Sequence, residues 1–190
     1  MAARWALLLL LCDVAARHGA RPAPRPRARQ HQRPGGRNRE INQQLITATS
    51  AERIMGVFDS HAPEFDDVNL STAWNRLGKS YIAHADRRAF FARNEGALQE
   101  MRARTDAVAP RLPSRNLAGV AYGIARLGYR GAHPTMRKIA AAAAPRLHEF
   151  KPQEIANLVW AFARAGVAAP ELFAAVATVV GSRLSEFKPQ

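Results

Sequence analysis

An internal repeat constrains the fold of this 190-residue sequence more than any other feature. The sequence Phe-Lys-Pro-Gln at 150–153 returns unchanged at 187–190, a spacing of 37 residues. One unit earlier, the segment 116–128 aligns without a gap on 154–166, at a spacing of 38 residues. A fixed period of this length is typical of repeat proteins, in which each unit is one supersecondary element stacked on its neighbours.

The same register extends one unit further back. The segment 69–79 lies 47 residues before its counterpart, so the first unit carries an insertion of about nine residues. We therefore expect units at about 65–111, 112–149 and 150–186, with the start of a further unit at 187–190. Because the sequence stops four residues into that unit, we expect a fragment or a truncated gene model, and a frayed tail is the alternative.

Each unit is predicted to be a hairpin of two α-helices. In the last unit, Ile155, Leu158 and Phe162 have the spacing of the apolar face of an amphipathic helix. Pro152 at the predicted helix start and Gly166 just beyond its end are typical of helix termini. Because one such pair cannot bury its apolar face alone, the predicted fold class is all-α, an α-solenoid of helical-hairpin repeats of about 37–38 residues.

Local signals predict where further helices begin and bend. Thr49 and Glu52 have the spacing of a capping box and predict one more helix ahead of the first unit. Pro110 and Pro145 fall late in the second helices, where proline is expected to bend or end the helix. Asp66 is interpreted as a helix N-cap rather than as one of a catalytic carboxylate pair.

The first forty residues have the composition of a targeting sequence. Arg4 precedes the apolar run 5–12. This run is much too short to span a bilayer as a helix, which takes about 20 apolar residues. The stretch 17–39 is rich in Arg and Pro, contains no acidic residue and is predicted to be disordered. We interpret residues 1–40 as a signal- and transit-like presequence, and we expect an organellar location, the mitochondrial matrix or a plastid. A basic arm that binds nucleic acid is the alternative.

The charge of the chain favours an anionic partner, and its cysteine content and motifs give no indication of a redox or metal site. Residues 1–40 hold nine Arg against two acidic residues, and residues 41–190 hold nineteen basic against thirteen acidic residues. The positive excess is therefore shared by the predicted helical region. Cys12 is the only cysteine, which excludes a disulfide framework and a cysteine-ligated metal site within this chain. Because no phosphate loop, metal-binding His pair or nucleophile motif is present, we expect no enzyme activity, no cofactor and no metal.

The repeat resembles a family of organellar RNA-binding proteins. The segment 150–163, Phe-Lys-Pro-Gln-Glu-Ile-Ala-Asn-Leu-Val-Trp-Ala-Phe-Ala, is similar to the repeat of octotricopeptide and FAST-kinase-like proteins, including the helical-repeat protein of the RNA-editing substrate-binding complex. The resemblance covers about residues 41–190. It implies that the partners are single-stranded organellar RNA and ribonucleoprotein proteins, and that the role is RNA processing, mRNA stability or translation. Asn75 and Tyr122 depart from the Trp that the family usually has, and the nuclease-like module common in the family does not follow the repeats.

A polar stripe recurs on the first helix of every unit. In the last unit it consists of residues spaced i, i+4, i+7 and i+11: Gln153, Asn157, Trp160 and Arg164. Its counterparts are Arg115, Gly119, Tyr122 and Arg126 in the second unit, and Val68, Thr72, Asn75 and Lys79 in the first. This spacing puts each set on one helix face, opposite the apolar face.

A cation therefore returns once per unit in these stripes. Regular cations suit an RNA backbone, and amide or aromatic groups beside them suit unpaired bases. The predicted RNA-binding residues are Lys79, Arg126, Arg164, Arg115, Gln153, Asn157, Tyr122 and Trp160.

Three alternatives stay open from the sequence alone. Trp160 and Tyr122 can instead be packed between neighbouring units, because large aromatic residues are usually well buried. The stripe cations can instead be favourable partners of the helix carboxyl-terminal dipole. The alternative function is a protein-interaction α-solenoid scaffold, without direct RNA contact, that binds a helix or an acidic tail of another protein.

Overall fold

The computed structural model describes residues 36–184, whose regular secondary structure is helical, without a β-strand among them. They form nine α-helices: α1 (Gly36–Thr47), α2 (Ala51–His61), α3 (Asp67–Lys79), α4 (Arg87–Arg93), α5 (Glu95–Val108), α6 (Ser114–Leu127), α7 (His133–Ala143), α8 (Pro152–Ala165) and α9 (Pro170–Ser182). The predicted all-α class is confirmed. The predicted presequence as far as residue 35 and the predicted start of a further unit at 187–190 lie outside the described residues.

The helices pack in two rows. In the first row α1 contacts α3, α3 contacts α6, and α6 contacts α8. In the second row α2 contacts α5, α5 contacts α7, and α7 contacts α9. The rows meet where α2 and α5 contact α3, and where α7 contacts α6. The three helices aligned by the sequence repeat, α3, α6 and α8, are therefore neighbours in space.

These three helices begin with the same hydrophobic staple, an apolar residue just before the N-cap and another at the fourth helical position. All six residues are buried: Phe65 and Leu70, Leu112 and Leu117, and Phe150 and Ile155. The staple fixes the direction in which the chain enters each helix. Gly128 and Gly166 follow α6 and α8 with left-handed φ values of 73° and 67°, so the predicted glycine ends are confirmed.

The helical region begins earlier than the sequence predicts, with a helix that the sequence reasoning did not identify. α1 starts at Gly36, inside the segment assigned to the presequence. Two of its early side chains have carboxylate partners on the following elements, because Arg37 Nε donates to Glu64 at 2.8 Å and Asn38 Nδ2 donates to Asp66 at 2.9 Å. These partners favour helix in residues whose composition alone predicts disorder.

Two other helix boundaries follow from local chemistry. The N-cap of α2 is Ser50, one residue later than the predicted Thr49, and its hydroxyl accepts the Arg53 N–H at 3.2 Å. Near Pro110 and Pro145 the α-helix gives way to the 3₁₀ segments Ala109–Arg111 and Ala144–Glu149, so the predicted helix ends are confirmed. Proline lacks the N–H that an α-helix needs at these positions.

Helices α3 and α6 approach so closely that only glycine fits where they cross. A Cβ atom on Gly78 would lie 2.6 Å from the Cα atom of Gly123. A Cβ atom on Gly123 would contact the backbone carbonyl of Trp74 and would lie 2.9 Å from the amide nitrogen of Asn75. Both distances are shorter than any ordinary carbon contact, so a side chain at either position would force the two helices apart.

A buried hydrogen bond links the two rows. Trp74 is fully buried, and its Nε1–H donates to Thr105 Oγ1 at 2.9 Å. The Thr105 hydroxyl in turn donates to the carbonyl of Met101 at 2.7 Å. Because an unpaired indole N–H is costly in a core, this bond fixes α3 against α5.

Gly123→Ala is expected to destabilise the protein by about 1–3 kcal/mol, because the added methyl group overpacks the α3–α6 crossing. Gly56→Ala in α2 is the matched control, since a Cβ atom there meets nothing within 4 Å. The control is expected to gain about 0.5–1 kcal/mol from helix propensity. Urea unfolding followed by circular dichroism measures both values. A Gly123→Ala protein as stable as the control would contradict the close crossing.

Thr105→Val is expected to cost about 1–3 kcal/mol, because it removes the acceptor of the buried indole N–H while keeping the side-chain shape. Thr105→Ser retains the hydroxyl and is expected to retain most of the bond. Thermal unfolding of the two variants measures the difference. A Val variant as stable as the natural chain would show that this hydrogen bond contributes nothing.

Candidate nucleic-acid interface

The three predicted stripes lie side by side on α3, α6 and α8. Asn75 on α3 lies beside Gly119 on α6, where a Cβ atom would be 3.8 Å from the Asn75 side-chain nitrogen. Tyr122 on α6 contacts Trp160 on α8, with ring centroids 4.9 Å apart and planes tilted by 39°. These two contacts join the stripes into one continuous surface, which we call the stripe surface. It consists of twelve residues: Val68, Thr72, Asn75, Lys79, Arg115, Gly119, Tyr122, Arg126, Gln153, Asn157, Trp160 and Arg164.

The three stripes share one pattern of exposure. The two central residues of each stripe are half-buried: Thr72 and Asn75, Gly119 and Tyr122, Asn157 and Trp160. The two outer residues are exposed: Val68 and Lys79, Arg115 and Arg126, Gln153 and Arg164. A half-buried band therefore runs across the three helices between two exposed edges, and one of these edges is a row of cations.

The cations of the stripe surface face no acidic side chain of that surface. Four of its twelve residues are Lys or Arg, and none is Asp or Glu. Elsewhere, acidic groups pair with many of the basic residues: Arg104 with Glu100, Arg111 with Asp67, Lys138 with Asp106, and Arg146 with Glu149. The charge of the stripe surface is therefore less compensated than that of the rest of the fold, which favours an external anion.

Individual cations differ in their surroundings. The guanidinium carbon of Arg126 lies 5.8 Å from the centroid of the Tyr122 ring. Nη1 of Arg126 donates a hydrogen bond to the Tyr122 hydroxyl oxygen at 3.4 Å. Lys79, Arg115 and Arg164 have no ionic or hydrogen-bonded side-chain partner within residues 36–184. Lys79, Arg126 and Arg164 all lie in the last turn of their helices, so the helix-dipole interpretation also fits their positions.

The polar and aromatic groups of the band have contacts of their own. The side-chain nitrogen of Gln153 donates to Asn157 Oδ1 at 3.2 Å, along the helix. Tyr122 and Trp160 pack on each other between α6 and α8, and both remain half-exposed. Part of each ring is thus held by packing, and part is accessible for stacking.

An Arg-Leu pair recurs at the end of each unit, at 111–112, 146–147 and 183–184, and sequence reasoning missed what its Arg residue does. Arg146 Nη1 donates to the carbonyl of Leu112 at 3.1 Å, and Arg183 Nη1 donates to the carbonyl of Phe150 at 3.0 Å. Leu112 and Phe150 hold the same position, just before α6 and α8. In the second and third units the Arg thus ties the end of the unit to its beginning, and the regular spacing of the Arg-Leu pairs was the available signal. The Arg146 guanidinium also donates to the Glu149 carboxylate, and this hydrogen bond lowers the pKa of Glu149.

Other kinds of site find no support in the described part of the chain. Between residues 36 and 184, no three His, Cys, Asp or Glu residues are grouped so that they could hold a metal ion. None of the helices in that range combines the length and the apolar character that a membrane span requires. No protein-family model matches the chain, and no solved structure matches it. The resemblance of its repeat to organellar RNA-binding proteins therefore stays a prediction.

Proposed function

We propose that this chain is an organellar RNA-binding helical-repeat protein that acts in RNA processing, mRNA stability or translation. The stripe surface carries the proposal, because it presents a cation at the same stripe position of every repeat, on three neighbouring helices and without an acidic residue. The order of helix contacts within the two rows supports an α-solenoid. The resemblance of segment 150–163 supports organellar transcripts as the ligand, and the composition of the first forty residues supports the organellar location.

In this proposal a single RNA strand crosses α3, α6 and α8 in turn. Packed helices have axes about 8–10 Å apart, so the cations recur at about that interval along the strand. Lys79, Arg126 and Arg164 bind phosphates, and Tyr122 and Trp160 stack on unpaired bases. The amide groups of the band and the outer groups Arg115 and Gln153 hydrogen-bond to base edges, riboses or phosphates.

The exposure of the surface favours RNA over an amphipathic helix of a protein partner. A groove that binds such a helix displays apolar anchors at several neighbouring positions. On the stripe surface the only exposed large apolar residue is Val68, which is 39% exposed. An acidic tail of a protein partner would still be complementary to the positive charge of the stripe surface. Nuclease treatment of a complex recovered from extract separates this alternative from RNA binding.

The triple variant Lys79→Gln, Arg126→Gln and Arg164→Gln is expected to bind labelled single-stranded RNA more weakly than the natural chain. For single strands the logarithmic salt dependence is about 0.7 per phosphate contact, so its magnitude should fall by about 2 for the three lost contacts. Titrations at several salt concentrations measure this slope. The matched control removes three other exposed basic residues that lie off the stripe surface: Arg53, Arg93 and Arg137.

The control removes the same net charge and is expected to keep most of the affinity. Equal weakening of the two triple variants would mean that diffuse charge, not the stripe surface, attracts RNA. Affinity of the natural chain that does not fall with salt would argue against phosphate contacts altogether. A partner complex recovered from organelle extract that survives nuclease treatment would favour the scaffold alternative.

A further inference from the structure

The insertion of the first unit lies against the end of α6. It lies within residues 80–94, the segment between α3 and α5, which consists of a loop followed by α4. A Cβ atom on Gly128, which ends α6, would lie 3.2 Å from Arg87 Nη1 in the insertion. The rings of Phe91 and Tyr129 contact each other at 5.1 Å between centroids. The insertion is thus adjacent to the carboxyl end of α6, where Arg126 lies on the cation edge of the stripe surface.

Tyr81, the second residue of the segment 80–94, is 90% exposed although the backbone on either side of it is anchored. Before it, the amide and the hydroxyl of Ser80 both donate to the carbonyl of Arg76 at 2.9 Å. After it, Ile82 is buried, and its carbonyl accepts from Arg87 Nε at 3.4 Å. The fold therefore presents the ring to solvent from a fixed backbone, and packing within the described residues does not explain why an aromatic residue stands there.

The stripe of the first unit lacks an aromatic residue. The second and third units have Tyr122 and Trp160 in the half-buried band, whereas the first unit has Asn75 at that place. Tyr81 follows Lys79, the cation of the first unit, by two residues. The first unit therefore has its phosphate-binding group and an exposed aromatic ring close together in the chain, although the ring comes from the insertion and not from the helix.

We propose that Tyr81 is a base-stacking residue, which provides the first unit with the aromatic contact that α3 lacks. The inference rests on the proposed function, and its ligand is the same single-stranded RNA. An unpaired base next to the phosphate at Lys79 stacks on the Tyr81 ring. Every base has a π-face, so the contact adds affinity without requiring a particular sequence.

Titration of the 190-residue chain with a labelled oligouridylate of about 16 nucleotides tests this contact. Tyr81→Ala is expected to lower the affinity about 5- to 150-fold, which corresponds to the about 1–3 kcal/mol of one base–aromatic stack. Tyr81→Phe retains the ring and is expected to retain the affinity. The salt dependence of Tyr81→Ala should equal that of the natural chain, because no phosphate contact is lost.

Ile46→Ala is the matched control, since Ile46 is a 45% exposed apolar residue on α1, which has no stripe. Unchanged binding by Tyr81→Ala, together with weakened binding by the variant of Lys79, Arg126 and Arg164, would overturn the stacking role and leave the proposed function standing. Equal losses in Tyr81→Ala and Tyr81→Phe would also overturn it, because the ring would not be the contact. Unchanged binding by all of these variants would overturn the proposed function as well.

Discussion

The backbone contact between α3 and α6 is the constraint on which the other features of the surface depend. Gly78 and Gly123 let the two helices approach until backbone meets backbone. At that distance Asn75 of α3 lies beside Gly119 of α6, and the polar face of one helix continues onto the next. Larger residues at the crossing would separate the two helices, and the stripe of α3 would no longer be continuous with that of α6.

The direction in which each stripe faces is set by the opposite side of its helix. The buried staples fix how α3, α6 and α8 begin, and the bond between Trp74 and Thr105 holds α3 against the second row. Arg146 then ties the end of the second unit back to the carbonyl before α6. Because these contacts prevent rotation of the helices about their axes, the residues that remain outside form an aligned band.

The termini of the helices could be predicted from the sequence, because they depend on local chemistry. Pro152 and Pro170 begin helices, and Gly128 and Gly166 end them, as single residues already indicate. The start of α1 could not be predicted in this way, since its partners Glu64 and Asp66 come from elements that follow it in the chain. Where a boundary depends on tertiary partners, composition alone gives the wrong limit.

The members of each stripe could also be predicted, because helical spacing alone decides which residues share a face. The contacts between stripes could not, since they depend on which helices are neighbours and how closely they pack. Trp74 illustrates the limit. It lies one position before Asn75, the residue aligned with Tyr122 and Trp160, and it is directed to the second row instead of to the stripe surface. The exposure of Tyr81 likewise depends on how the insertion is anchored.

The most direct test of the account is to map the residues that bound RNA touches. Ultraviolet cross-linking of the 190-residue chain to a single-stranded oligoribonucleotide, followed by mass spectrometry of the peptides, locates the contacts on the helices. The account predicts adducts on peptides from α3, α6 and α8, with Tyr122 and Trp160 among the modified residues. Adducts confined to α2, α5, α7 or α9 would contradict it.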